Sequence, residues 1–432
     1  MSIQDQVDRL IDTRPGKELL SFVHDEKAHR VNDFIYRSAG TSASYMLVTN
    51  AGRVIVNTGM SYEAPHHRAL FAPICAGPTP YIITTQGHVD HVGGVSLFRE
   101  PGTRYVAQAN NPSCQADDAR IARFRAGTAM LWFGQLARII GDFARRYPGQ
   151  ALPQERQLPD LTFESRLALR VGDLELELIA APGGETVDSC IVWLPQHRIA
   201  LLSNLFGPLF PHFPNFNTLR GDKYRFTEPY LANARRVREL RPRLLITGRH
   251  LPIEGEELID ACIARLHDAV EYVHTETIAR INAGQDIHTI MREVTLPPHL
   301  RVGQGYGKVA WAVRTIFEVY TGWFQRRASS ELYETPPEAG LADLAALAGV
   351  KVVIDHARGR LAAGEPQRAL ALAEAAIAAE PSSREAAQLL VDVHEALLAA
   401  GGEVNFWESG WLHHQIARWR AQAQGESVRP TR

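Results

Sequence analysis

The chain is short of cysteine, of long apolar runs and of surplus charge, and each shortage removes a class of function. Its 432 residues hold four cysteines, Cys75, Cys114, Cys190 and Cys262, which lie far apart with no C-x-x-C pair. A disulfide framework is therefore not expected, and the thiols read as reduced. Nowhere do about 18 apolar residues run uninterrupted, the length a membrane-spanning helix needs. The first 14 residues are charged and lack the apolar centre of a signal peptide. A soluble cytoplasmic protein with no membrane span is the expectation. The formal net charge of -2 leaves no positive excess to follow a phosphate backbone, so nucleic acid is not an expected partner. The pairs Arg145-Arg146 and Arg235-Arg236 sit among acidic and apolar neighbours and read as solvated helix faces. What remains is an ordinary globular composition, 45% hydrophobic and 22% charged, long enough for two or three domains at about 150 residues each.

Residues 33–58 alternate apolar and polar in short runs separated by Gly and Asn, a pattern that predicts strands and hairpins. A helical stretch over 64–75 precedes an apolar strand over 81–85, which ends at Gln86-Gly87-His88-Val89-Asp90-His91. Loops at the carboxyl ends of strands converge over a rigid sheet, which is where α/β architectures place their chemistry. Residues 116–147 carry helical spacing and predict one long helix. Further strands are expected near 167–171, 174–180, 189–194, 199–203 and 244–247, the last leading into Gly248-Arg249-His250. This alternation argues for a layered α/β domain over residues 1–254. Residues 255–432 read as helical, and from Lys351 two Ala-rich amphipathic helices joined by Pro-Ser-Ser have the spacing of one tetratricopeptide unit. One such unit cannot bury its own apolar face, so it must pack on neighbouring helices or a second subunit.

The cluster His88-Val89-Asp90-His91 follows a buried strand, is followed by Gly93-Gly94, and has Glu185 and His250 at other predicted strand ends. Imidazoles and carboxylates on convergent loops are what an open metal site needs, with one position left for water. These residues resemble the metallo-β-lactamase superfamily, whose loop reads His-x-His-x-Asp-His, and within it the alkyl sulfatase branch. The resemblance extends to Pro182-Gly183-Gly184-Glu185, to NFNTLRG over 215–221 and to GRHLP over 248–252. In the helical part it includes EYVHTETIARINAG, EVTLPPHL and WAVRTIFEVYTGWF. It implies an αββα sandwich followed by a helical dimerisation domain with tetratricopeptide-like helices, and a homodimer.

Carried over residue by residue, the resemblance makes His88 and Glu185 ligands of one metal ion, and Asp90, His91 and His250 ligands of another. Gln86 stands where the family has its first histidine, and Asn204 where it has a bridging carboxylate. Amide oxygens are weaker donors to zinc than imidazole or carboxylate. With only Asp90 and Glu185 as negative ligands, two divalent ions would repel each other with little screening. A single ion on Asp90, His91 and His250 is the expectation. The second position (Gln86, His88, Glu185) is then weak, empty, or used by manganese or iron rather than zinc. The ion would activate a water, and Asp90 or Glu185 could take the proton. The resemblance also implies that Arg220 and Asn215 hold the substrate's sulfate oxygens, although a guanidinium fork suits any oxyanion.

The aromatic run over 205–216, with Trp132 and Phe133, would wall an apolar channel or pack a core. His212 within it reads as a surface-loop histidine. His66 and His67 are adjacent on a helix, face different ways, and are not expected to share a metal. His413 and His414 have no expected role. The leading reading is a metal-dependent hydrolase of an alkyl sulfate or similar small anionic ester, with zinc as the first candidate ion. Many alkyl sulfatases continue into a sterol-carrier-like domain beyond the tetratricopeptide-like helices, and the end of this chain there points to a less lipid-like substrate. Two alternatives stay open: the same fold acting on a carboxylic ester, lactone or other carboxylate, and a non-catalytic binding or scaffold homologue.

Overall fold

Runs of β-branched and aromatic residues between turn signals become strands, and their packing explains why so many are apolar along their whole length. The computed structural model describes residues 1–14, 24–150 and 153–426. One sheet is ordered β1 (His29–Arg30), β2 (Ile35–Ser38), β3 (Ser44–Thr49), β4 (Gly52–Val56), β5 (Tyr81–Ile83), β6 (Arg104–Gln108), β7 (Leu161–Phe163). It is antiparallel as far as β4 and parallel from β4 to β7. The second sheet contains β8 (Arg166–Val171), β9 (Leu174–Ala180), β10 (Cys190–Leu194), β11 (Ile199–Ser203), β12 (Leu244–Thr247) and β13 (Ile253–Glu254), in the order β13-β12-β11-β10-β9-β8. Its β11–β12 pair is parallel.

Successive side chains of a strand point to opposite faces, and here both faces are covered. Tyr45, Leu47, Val54, Val56, Val192 and Leu201 meet in the core between the sheets. Met46, Ile55 and Ile82 turn outward beneath the helix Ala64–Phe71 and the short helices that follow β5. Ile191, Trp193, Ala200 and Leu245 turn outward on the other sheet, against the helices Ile3–Asp12, Thr227–Leu240 and Glu256–Asn282. The result is the αββα sandwich that the metallo-β-lactamase resemblance implies. Buried on both sides, β10, β11 and β12 read as unbroken apolar runs rather than alternating ones.

The chain forms two compact units, Met1–Phe317 and Glu318–Arg432. The pattern turns helical near residue 255, as expected, but the compact unit runs on to Phe317. The reason is that Ile259, Val270, Ile290, Val313 and Phe317 share a core with the outer face of the second sheet. The long helix expected over 116–147 is three helices, Asn111–Arg120, Ala122–Ala129 and Leu136–Arg146. Ile121 leaves helical geometry at the first break, and Phe124, Met130 and Ile140 stay exposed. The apolar residues of that stretch thus never share one face. In the second unit the Ala-rich helices Val350–Ala362, Pro366–Ala379 and Arg384–Ala400 bury Ala357, Ala369, Ala373 and Ala386 against Leu389, Leu390 and Val393. Small alanines let these helices approach closely. A further helix, Phe406–Ala423, is capped by the Asn405 side chain and closes a second cluster of Val391, Leu398, Leu412 and Ile416. Among the described residues, no helix is long and apolar enough to cross a membrane, and all four cysteines are free thiols.

Gly93 and Gly94 hold the helix Val89–Val92 against the loop that follows β4. A Cβ on Gly93 would lie 2.4 Å from the Ser61 nitrogen, and one on Gly94 would lie 2.4 Å from the Ala64 Cβ and 2.6 Å from the Thr58 carbonyl oxygen. Gly94→Ala should therefore destabilise the fold by about 1–3 kcal/mol, the usual cost of overpacking. Gly127→Ala, in a helix with nothing within 4 Å of the added methyl, should be neutral or slightly stabilising. Urea denaturation midpoints of the two variants check this.

Candidate metal centre

Asn57, just beyond β4, fixes the start of the site loop: its Oδ1 accepts hydrogen bonds from the Thr85 amide at 2.9 Å and the Thr85 hydroxyl at 3.1 Å. Thr58 then ties down the far end, donating to the His91 carbonyl through both its amide and its hydroxyl. Between them β5 delivers Gln86, His88, Asp90 and His91 into the interior, all of them buried. Glu185 comes from the β9–β10 connection, Asn204 follows β11, and His250 follows β12. These seven residues are held in two differently organised groups.

In the first group Gln86 is a cross-link. Its side-chain nitrogen lies 3.0 Å from His88 Nδ1 and donates to Glu185 Oε2 at 3.1 Å. A carboxylate only accepts, so the amide's nitrogen, not its oxygen, faces Glu185. The other Glu185 oxygen is 3.3 Å from the Arg225 guanidinium, which also donates to the Asn215 carbonyl. His88 Nε2 is 3.0 Å from the Asp222 carboxylate, and Arg220 Nη2 is 3.3 Å from His88 Nδ1. Burial and Arg220 pull the His88 pKa down, but Asp222 and Asp118 together outweigh them and hold it above its ordinary value. Asp222 is paired in turn with Arg125, which also binds Asp118. Cationic side chains already neutralise this group, with Arg225 on one Glu185 oxygen and the Gln86 amide on the other. Gln86, His88 and Glu185 do not fit a metal in this arrangement.

The second group is organised the other way. Burial lowers the His91 pKa below its ordinary value, and burial with Arg14 and Arg249 nearby lowers that of His250 further. The Asp90 carboxyl is held far below the usual range, because His91, His88 and the Ser42 hydrogen bond of 2.6 Å outweigh its burial. Neutral imidazoles and an ionised carboxylate are the protonation states a metal requires. His250 Nε2 and Asn204 Oδ1 are buried without a hydrogen-bond partner. Buried polar atoms without partners are rare and call for an explanation, an ion being one. The donor chemistry of Asp90, His91 and His250 fits one ion. Their spacing is wider than a closed shell: among the described residues, only His267, Asp268 and Glu271 bring three such ligand atoms within 4.8 Å of one another. That trio lies along the helix Glu256–Asn282, and His267 is already bonded to Arg235. Asn204 directs its nitrogen toward Ser42 and His91, at 3.3 Å each, and its oxygen toward Gly248, where a Cβ would be 2.2 Å away.

The sequence did not single out Ser42, Asp222 or Arg225. Asp222 and Arg225 follow Arg220 by two and five residues, and that charged run was the available signal. Asn215 is buried, and its Oδ1 accepts from the Thr218 amide. The run over 205–216 is core: Phe206, Phe210, Phe213 and Phe216 are buried, Phe213 packs edge-on against Phe216, and Phe206 and Phe216 pack edge-on against Tyr230. His212 is buried as well, contrary to the surface reading, because it bridges the Ile11 carbonyl and the Gly305 amide.

His66 and His67 are both buried, with separate partners, Tyr147 and Ser38. Beside them Glu63 accepts from the Met60 amide and from both donors of Thr41, pinning the loop that presents Ser42 to Asp90. Burial pulls the His66 pKa down to about 4, against the hydrogen bond to the Asp25 carbonyl that raises it. The unfolded chain therefore takes up a proton there, near its ordinary value of 6.5, that the folded protein refuses. Stability from this residue is lost as pH falls from 6.5 toward 4 and levels off below. His66→Gln should flatten that part of a stability-against-pH curve measured by urea denaturation.

Residues 286–413 match the alkyl sulfatase dimerisation family. A linear primary-alkylsulfatase of Pseudomonas sp. (strain ATCC 19151) is 27% identical over 303 residues, which are 65% of this chain and 56% of that protein. An alkyl/aryl-sulfatase of Saccharomyces cerevisiae is 22% identical over 407 residues, 89% of this chain and 62% of that protein. An (R)-specific secondary-alkylsulfatase of Pseudomonas sp. is 22% identical over 343 residues, 74% of this chain and 51% of that one. The chain thus spans between half and two thirds of the length of the curated relatives it matches. Among solved structures, the stereoselective inverting sec-alkylsulfatase Pisa1 from Pseudomonas sp. superposes with a TM-score of 0.78 at 18% identity, over 93% of this chain and 66% of that one.

Proposed function

We propose, from a chain that is alkylsulfatase-like in sequence and in fold, that the protein is a metal-dependent hydrolase of an alkyl sulfate or similar anionic ester. The observation that carries this reading is a set of three buried ligand-type side chains at strand ends: the Asp90 carboxyl is held far below its ordinary range, the His91 and His250 imidazoles are held below theirs, and His250 Nε2 has no partner. A metallo-β-lactamase fold implies divalent-metal chemistry, and these three residues would hold the ion, zinc being the first candidate and manganese or iron the alternatives. When bound, such an ion lowers the pKa of a water and polarises the bond under attack.

The chain's own residues account for the rest. Arg220 sits over His88 with part of its side chain in reach of solvent, placed to fork onto the sulfate oxygens and orient the ester. Asp90 and Glu185 are the two carboxylates of the centre for taking the proton from water; Ser42 holds the first, and Arg225 and Gln86 hold the second. Ser42 fixes the orientation of Asp90. The reaction consumes one water and yields the alcohol, sulfate and a proton.

A homodimer is part of the proposal. The helix Pro337–Ala348, inside the matched dimerisation region, leaves Leu341, Leu344 and Leu347 exposed, the last at 85%, and an apolar stripe of that kind suits burial in an interface. A cytoplasmic setting fits the four free thiols. The amide and guanidinium that fill the first half of the site favour a second reading, a binding protein without turnover. A sulfate-release assay with short and medium alkyl sulfates separates the two. Hydrolysis should be abolished by a chelator and by His91→Ala, and Arg220→Met should raise KM by about tenfold or more through loss of charge-assisted hydrogen bonds. Sulfate esters left intact by protein carrying its metal would favour the binding reading.

A further inference from the structure

A cleft of about 450 Å³ opens beside His250, between the end of the helix Ile3–Asp12, the loop after β2 and the loop after β12. Volumes of this size hold small-molecule ligands. Among the described residues three guanidiniums line it, Arg14, Arg37 and Arg249, against one carboxylate, Asp25. Arg14 is buried and spends two donors on the carbonyls of Phe210 and Leu251, at 2.7 and 3.2 Å, with no acidic partner among the described residues. Burial without a counter-charge pulls its pKa down to about 10. Arg37 donates to the Arg249 carbonyl at 3.0 Å and lies 3.6 Å from Asp25, while its Nε has no partner. Asp25 also accepts from the Ala39 amide. The Arg249 guanidinium makes no hydrogen bond and no ion pair among the described residues, and its buried Nε is unsatisfied. His250, the candidate metal ligand, lies on the same wall.

Three cations and one anion give the described lining a surplus of positive charge in partly desolvated surroundings. Buried charges are stable only when paired, and the planar forks of three arginines match the oxygens of a carboxylate, sulfate or phosphate. Leu10 and Leu251 add apolar wall to the same cleft, which suits an anion carried on a small organic group. We propose that this cleft is a second anion-binding subsite, formed by Arg14, Arg37 and Arg249 and separate from Arg220, that takes the oxyanion of a small organic ligand. The proposal goes beyond the hydrolase reading, and its test needs no turnover.

The test is calorimetric titration with sodium sulfate and with sodium hexanoate, ionic strength held constant with chloride, on Arg220→Met protein so that the position beside His88 is silenced. At least one probe should bind saturably, one to one. Adding Arg249→Met should weaken it by about tenfold or more, and adding Arg249→Lys, which keeps the charge but not the fork, should weaken it less. Tighter binding of hexanoate identifies an organic anion, and tighter binding of sulfate a free inorganic one; both support the site. Thermal denaturation establishes that the variants are folded, and the lysine variant carries the test should the methionine one fail to fold. No saturable binding of either probe, or binding unchanged by both Arg249 substitutions, would overturn the proposal.

Discussion

A carboxylate removed from water needs a cation beside it, and Glu185 finds that cation in the chain itself, in Arg225. Much of the pocket follows from this pairing. Gln86 can lend its nitrogen to Glu185 and His88 because the position an imidazole and a metal would take is already electrically satisfied. His88 is then free to lean on Asp222, and Arg220 closes over it. Only Asp90, His91 and His250 remain with the protonation states and the unsatisfied nitrogen that an external ion would answer. The Arg225 guanidinium beside Glu185 supports the proposal of a single ion.

The fold was legible because both sheets are covered on both faces. Runs such as those of β10, β11 and β12 are apolar for their whole length, and such runs bounded by turn residues read as strands without ambiguity. The stretch over 116–147 misled because apolar spacing alone does not reveal whether the residues share a face, and the break at Ile121 has no glycine or proline to announce it. Within the site, the residues of the His88–His91 turn stood out because imidazole and carboxylate chemistry is dense there. Ser42 and Arg225 did not, because ordinary loop residues acquire their roles only when the tertiary fold brings them to Asp90 and Glu185. The sequence marked Gln86 and Asn204 as poor donors, but the direction of their amides is set by neighbours distant in the chain.

Net charge hid a local field in the same way. A chain with a formal charge of -2 still gathers three guanidiniums around one cleft, and only the spatial convergence of Arg249 with Arg14 and Arg37, more than two hundred positions earlier, makes that an electrostatic feature. The second compact unit supplies a different kind of surface, alanine-packed within and leucine-lined on one exposed helix. The two units contribute different chemistry, charge recognition in the first and apolar association in the second.

The central claim is that one half of the centre takes an ion and the other half does not. Elemental analysis of protein purified without added metal or a histidine tag, on the native chain, Glu185→Gln and His250→Ala, tests it most directly. The account predicts about one divalent ion per chain in the native protein and in Glu185→Gln, and its loss in His250→Ala. Two ions per chain in the native protein, or an ion lost with Glu185→Gln and kept with His250→Ala, would contradict it.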